Sequence, residues 1–341
     1  FMKIKNILVT IPKGLGDSIQ CLPAIEGLLQ HFSNHSIKLV CADFLVNLYK
    51  IYLPDIYVVA DKDIEKYKNI EYEWFIDLAS LDWSFKLKEY IQYKHIAYHK
   101  FYTCQISEGF KSKIVIDNNE SDALFFDVSG RGGDKFYDKP AWSLEAELIS
   151  KIIGDDKWID DNMFPRLRYK NKQYNNNTIL LLPGGTGAKR KWPNEYFKEL
   201  IEYLLYKGND VDLVLGPEEI EVIPFYKNIS GLTVFDNLSL VQLSKKIISS
   251  NYIITQDCGP MHLACALGKP VLAIFGPTNE NCWFTYNSKH QKVIRKGEMI
   301  RSGVIKNLES WKDWPTVKEV ISAIPTIYIY QDYNIKQKKG E

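Results

Sequence analysis

The stretch Ile7-Leu8-Val9-Thr10-Ile11-Pro12-Lys13-Gly14-Leu15-Gly16-Asp17-Ser18 decides the fold class. An uninterrupted apolar run reads as a buried strand, a glycine pair marks a tight turn, and helical spacing follows from Ser18 to Phe32. Strand, glycine turn and helix in that order open a doubly wound α/β domain. Short apolar runs at Ile37–Cys41, Tyr57–Ala60, Trp74–Leu78 and His95–Tyr98 continue the pattern. They alternate with helix-like segments Phe44–Leu53 and Trp83–Gln92, which predicts a parallel sheet covered on both faces.

The pattern then repeats. After a helix over Trp142–Ile153, an irregular polar stretch places the domain boundary between about 160 and 177. A second series follows, with strands at Thr178–Leu182, Val211–Leu215, Thr233–Phe235, Tyr252–Thr255 and Val271–Phe275. Helices are expected at Asn194–Tyr206, Ser239–Ser249 and Pro260–Leu267, and a last one within Trp314–Ile324. The expected organisation is two Rossmann-like domains, 1–165 and 175–315, and a C-terminal helix and tail, 316–341. Residues 100–140, with Gly130-Arg131-Gly132-Gly133, fit either an acceptor-side loop or a surface excursion.

With 341 residues the chain exceeds the usual size of one domain. Hydrophobic residues at 45% and charged residues at 25% are an ordinary globular mixture. Lys and Arg number 43 against 42 Asp and Glu, so no global field points to nucleic acid. Cys21, Cys41, Cys104, Cys258, Cys265 and Cys282 form no CxxC pair, which fits reduced thiols and neither a disulfide framework nor a zinc site. No window is apolar for long enough to span a bilayer, and the start lacks the apolar core of a signal peptide, Phe1 reading as a remnant ahead of Met2. The expectation is a cytoplasmic protein, with peripheral contact at the inner membrane face left open.

Two segments of the second half carry chemistry. Leu182-Pro183-Gly184-Gly185-Thr186-Gly187-Ala188-Lys189-Arg190-Lys191-Trp192-Pro193 lies between a strand and a helix. Glycines let backbone N–H groups approach a phosphate, Thr186 adds a hydroxyl, and Lys189, Arg190 and Lys191 add cations near a helix start. A glycine turn with a solvated basic run is the alternative. In Thr255-Gln256-Asp257-Cys258-Gly259-Pro260-Met261-His262, Asp257 sits at the carboxyl end of its strand, the edge where open α/β sheets bind ligands. Asp257 also suits a helix cap, and His262 a core position.

These residues carry a resemblance. Asp257–Pro270, the following Phe275-Gly276-Pro277-Thr278, the Lys-Arg-Lys-Trp-Pro loop and the turn Gly14–Ala24 together resemble glycosyltransferase family 9, the ADP-heptose:lipopolysaccharide heptosyltransferases. The resemblance implies a GT-B architecture, two Rossmann-like domains facing across a cleft, with the donor on the C-terminal domain, the acceptor mostly on the N-terminal one, and a C-terminal helix packing back on the latter. It implies an inverting, metal-independent transfer of heptose from ADP-heptose to an inner-core sugar of lipopolysaccharide, with no cofactor. A transferase for another nucleotide sugar, and a sugar-nucleotide-binding partner without turnover, are the alternatives.

Asp17 matches the family's general base, with Gly14, Gly16 and Ser18 beside it on the acceptor side; capping the helix that follows is its structural alternative. Thr186 and Arg190, where the family often has Lys, match the diphosphate contacts, with Lys189 and Lys191 able to share that role. Glu218 falls at the ribose contact, or begins a helix. Leu238 falls at the base contact, or in the core. Asp257, Gly259 and His262 match donor-sugar and phosphate contacts. Cys258 replaces the usual Ser or Thr, which leaves its backbone N–H. The expected partners are a nucleotide-sugar donor and an anionic glycan or lipid-linked glycan acceptor, for which Lys86, Lys88, Lys94, Lys100, Lys111 and Lys113 offer a basic face or simply a solvated one.

Overall fold

The computed structural model describes residues 5–80, 82–103, 110–122, 140–159, 163–169, 177–185, 191–278, 280–284, 291–296 and 312–329. The chain divides into two compact units, with the main break after Tyr169.

In the first unit the order is β1 (Lys5–Thr10), α1 (Leu15–Gln20), α2 (Leu22–His31), β2 (His35–Cys41), α3 (Asp43–Tyr52) and β3 (Tyr57–Ala60). It continues with β4 (Glu71–Asp77), α4 (Asp82–Phe85), β5 (Gln92–Thr103), β6 (Phe110–Ile116), β7 (Asn119–Asp122) and α5 (Trp142–Ile153). The sheet order is β3-β2-β1-β4-β5-β6-β7. Strands β1 to β5 are parallel, as their near-continuous apolar runs predict, and β1 is buried from Ile7 onward. The sheet is not wholly parallel, because β6 and β7 add to its edge as an antiparallel extension. Asp117 and Asn118 turn between them at φ 48° and 69°, a left-handed pair that Asn and Asp tolerate. The helix expected from Ser18 to Phe32 is two helices: α1 ends at Cys21, and Pro23 stands in the first turn of α2, where its missing N–H costs no bond.

The second unit runs β8 (Thr178–Leu182), α6 (Asn194–Tyr206), β9 (Asp210–Val214), a 3-10 turn (Pro217–Val222), α7 (Ile223–Lys227), β10 (Leu232–Phe235) and α8 (Leu240–Ser249). Then come β11 (Tyr252–Gln256), α9 (Gly259–Ala266), β12 (Val271–Phe275) and, after α10 (Glu280–Trp283), which belongs to the first unit, β13 (Gln291–Arg295) and α11 (Val317–Ala323). All six strands are parallel in the order β10-β9-β8-β11-β12-β13, the doubly wound order in which strand sequence reverses between the first and fourth strands. Strands β8, β11 and β12 are buried at every residue.

Two segments depart from the expected domain limits. Helix α10 belongs to the first unit, where Trp283 packs on Ala141 and Leu144 and the Ala141 N–H bonds the Cys282 carbonyl at 2.8 Å. The C-terminal helix, expected to pack back on the N-terminal domain, instead completes the core of the second unit. Trp314, Val317, Val320, Ile324 and Tyr328 join a cluster with Phe197, Leu200 and Tyr252. Tyr328 stacks on Tyr252 at 4.4 Å, and Trp314 lies over Gly276, where a Cβ would meet its ring at 2.5 Å. Burying these large apolar side chains is worth about 1.5–3 kcal/mol each, so the segment 314–328 is held by its own domain.

Candidate functional site

Among the described residues singled out from the sequence, Gly14, Gly16 and Asp17 follow β1 and Asp257, Cys258 and Gly259 follow β11, at carboxyl ends of strands flanking a reversal point, where open α/β sheets receive ligands; Glu218 and Leu238 follow β9 and β10 instead. In the first unit that point lies between β1 and β4. Asp17 is exposed in the first turn of α1, and a Cβ on Gly14 would come within 2.7 Å of its carboxylate oxygen. Asp17 therefore folds back over Gly14, and only glycine leaves it that place. Helix α1 has Gly14 as its N-cap, so Asp17 is a third-position residue and not the cap. Gly16 is half-buried beside it. Ser18 turns the other way. It is fully buried, its hydroxyl shared with the Tyr49 hydroxyl at 2.6 Å, so its assignment to the acceptor side is corrected to a core contact.

Beneath this turn, Asp77 at the end of β4 accepts hydrogen bonds from the Thr10 hydroxyl at 2.6 Å, the Ser80 N–H at 2.9 Å and the Ser84 hydroxyl at 2.9 Å. The first of these ties β1 to β4 across the reversal point. Burial pushes the Asp77 carboxyl up despite these donors. Ser80 is held at φ 47°, an uncommon conformation for a residue with a side chain, by those bonds to Asp77. Of the lysines expected to form a basic face, Lys94 pairs with Glu73, and Lys100 and Lys113 with Glu120. Lys86 is exposed, and the Lys111 side chain lies outside the described residues. Lys88 differs: half-buried over the rings of Tyr98 at 3.5 Å and Phe85 at 3.9 Å, its amine is lowered by desolvation to about 8.

In the second unit the reversal point lies between β8 and β11. Gly184 and Gly185 leave the end of β8, and the turn Asp257-Cys258 leaves the end of β11. A Cβ on Gly185 would stand 3.2 Å from the Cys258 Cβ and 3.6 Å from the Asp257 carbonyl oxygen, and one on Gly184 would stand 2.8 Å from a Glu219 oxygen. The glycines thus let one backbone lie directly on the next loop. Asp257 is half-buried and Gly259 opens α9. Cys258 points inward: its sulfur lies 3.4 Å from the Thr255 hydroxyl, and burial pushes its thiol up to about 12, which leaves it neutral and unreactive. His262 is buried, 5% exposed. Leu238 is half-buried in the connection between β10 and α8. Thr186, Lys189 and Arg190 lie outside the described residues.

Two functional candidates were not singled out from the sequence. Glu218 is exposed, whereas its neighbour Glu219 is buried and turned into the site. Its carboxylate accepts from the Lys191 ammonium at 2.7 Å, the Gly216 N–H at 2.9 Å and the Gly185 N–H at 3.4 Å. Gln256 is 1% exposed at the end of β11; its amide oxygen accepts from the Trp192 N–H at 2.7 Å and its amide nitrogen donates to the Pro183 carbonyl. The available signal was an uncharged polar residue closing a strand whose other positions are buried.

Among the described residues no group of three or more His, Cys, Asp or Glu is placed to hold a metal ion, and no helix is long and apolar enough to cross a membrane.

Residues 157–308 match the model of glycosyltransferase family 9 (heptosyltransferase). The chain is a glycosyltransferase that resembles family 9 over these residues. This transferase is 20% identical over 307 residues to lipooligosaccharide heptosyltransferase 2 of Campylobacter jejuni, covering 85% of this chain and 86% of that one. The solved family 9 glycosyltransferase of Veillonella parvula superposes with a TM-score of 0.67 at 16% identity, over 96% of this chain and 98% of that one. The ADP-heptose lipopolysaccharide heptosyltransferase II of Escherichia coli superposes with a TM-score of 0.66 at 16% identity, over 93% and 96%. These likenesses give the transferase the GT-B fold class, with two Rossmann-like domains.

Proposed function

We propose that this transferase moves a heptose from ADP-heptose to a sugar of a lipopolysaccharide core or related surface glycan, with inversion and without a metal ion. The observation that carries the reading is the meeting of the Gly184-Gly185 backbone with the Asp257-Cys258 turn at the reversal point of the second sheet. Helix α9 opens at this edge with Gly259, so the N–H groups of its first turn lie there, and Lys191, paired with Glu219, stands at the far end of the loop. A leaving diphosphate needs its growing charge met by preorganised donors, and such an edge provides them. Among the matched relatives, one is named for ADP-heptose and one for lipooligosaccharide heptose transfer, which supports this choice of donor and acceptor.

Asp17 takes the proton from the acceptor hydroxyl as that oxygen attacks the anomeric carbon. Its exposure suits a base that must reach a large substrate, and its carboxylate lies close against the Gly14 backbone. The diphosphate lies against Gly185, Thr186 and the cations Lys189, Arg190 and Lys191. Asp257, Gly259 and His262 border the donor sugar, and Glu218 with Leu238 the nucleoside. The acceptor approaches Gly14, Gly16 and Lys88. The site of action is the cytoplasmic side of the inner membrane.

Incubating purified protein with a panel of nucleotide sugars and truncated core acceptors, read by mass spectrometry, tests the reading. A heptose adduct formed with ADP-heptose is expected, and persists in EDTA; transfer from UDP-sugars alone, or loss of activity on chelation, overturns it. Asp17→Ala is expected to lower turnover by about 10²–10⁴-fold while ADP affinity by calorimetry is unchanged. Equal turnover in the variant removes Asp17 from the role of base.

A further inference from the structure

Gln256 is joined to the loop it closes at both described ends. One amide group spans Pro183, which leaves β8, and Trp192, which leads into α6, through bonds to residues 73 and 64 positions away in sequence. It is buried, so neither bond is exchanged for water without cost. Glu219 makes a second tie between the same ends, through the Gly185 N–H and the Lys191 ammonium. Trp192 itself is fixed further, its indole N–H donating to the Pro315 carbonyl at 2.8 Å and its ring packed edge-on to Phe197 at 4.8 Å. The exit of the loop is therefore rigid, and Gln256 sets how far the entrance stands from it.

We infer that Gln256, seconded by Glu219, is a positioning residue that fixes the separation of Pro183 and Trp192, and with it the places of Gly185 and Lys191, for binding a nucleoside diphosphate. The inference rests on the donor site proposed above. A loop that binds an anion through backbone N–H groups loses affinity when those groups must be ordered by the ligand instead of by the protein, because the ordering entropy is then taken from the binding energy. Gln256 is suited to this because one planar group offers an acceptor on one side and a donor on the other. Leucine offers neither, and glutamate keeps the acceptor for Trp192 while setting an oxygen against the Pro183 carbonyl.

Two readings on the full-length protein test this. In hydrogen exchange of the ligand-free protein, peptides covering 183–192 are expected to exchange at least about tenfold faster in Gln256→Leu and Gln256→Glu, with β9 and β12 unchanged. Unchanged exchange in those peptides overturns the tie, whatever the protein binds. In calorimetry with ADP, both variants are expected to weaken binding about tenfold or more, and in turnover to raise the donor KM while the acceptor KM stays. A purely structural role would lower active fraction and kcat with both KM values intact, and that result overturns the inference. Glu219→Gln, which keeps the size and loses the charge facing Lys191, serves should both Gln256 variants fail to fold; a several-fold faster exchange of 183–192 is expected and parity with wild type overturns the tie. Wild-type protein that binds ADP no better than UDP or GDP counts against the proposed donor, while the exchange result stands apart from it.

Discussion

Replacing Glu145 with glutamine should flatten a loss of stability expected of the wild type as pH rises from 6.5 to about 8. Glu145 lies in the first turn of α5 with its side chain 12% exposed; its Oε2 accepts no hydrogen bond and lies 3.9 Å from the His99 Nε2. Burial, with the nearby Asp77 charge adding to it, pushes the carboxyl from 4.5 to about 8. Between those values the folded chain holds a proton that the unfolded chain has released, so stability falls as pH rises through that window. His99 has the opposite sign. Burial lowers its imidazole from 6.5 to about 4, so between those values the unfolded chain holds the extra proton and stability rises with pH. From 4.5 to 6.5 the two slopes cancel. From 6.5 to about 8, of these two groups only Glu145 contributes, and at about 1.4 kcal/mol per pH unit it costs about 2 kcal/mol of stability. Glu145→Gln carries no ionisable group there, so its stability should hold over that window and should climb with pH below 6.5, where His99 is no longer offset. Urea unfolding of both proteins over a pH series, following the first domain, reads both slopes. Parallel profiles for wild type and variant would refute the reasoning, because the carboxyl would then titrate alike in folded and unfolded chains.

Gly185→Ala places a methyl 3.2 Å from the Cys258 Cβ and should lift the loop off the Asp257 turn; calorimetry should show ADP binding weakened about tenfold with a thermal midpoint near wild type, and intact affinity would dissociate the two loops. Trp192→Phe keeps most of the buried ring and loses the bond to the Pro315 carbonyl, leaving that acceptor unsatisfied. A destabilisation of about 1–3 kcal/mol in denaturant titration is expected, with protease access to the C-terminal tail increased; an unchanged midpoint would mean the tail is held without Trp192.

Much of the candidate site was legible because its geometry is local. A glycine pair after a strand, Asp17 three positions into a turn, and Asp257 at a strand's end are placed by the few residues around them. Ser18 was misjudged for the same reason: its neighbours in sequence allow either direction, and only Tyr49 draws its hydroxyl inward. Glu218 and Glu219 are equally plausible in sequence, and the 3-10 turn at Pro217–Val222 decides which faces Lys191.

The alternation of apolar runs with helical spacing was enough to determine two doubly wound units and the positions of most strands, because hydrophobic periodicity is written residue by residue along the chain. Tertiary structure alone decided that β6 and β7 extend the first sheet in antiparallel fashion, that α11 completes the second core, and that Gln256 joins the two ends of the 183–192 loop. Those contacts join residues far apart in sequence, and which partner a buried group finds depends on which surfaces the folded sheets leave to be covered.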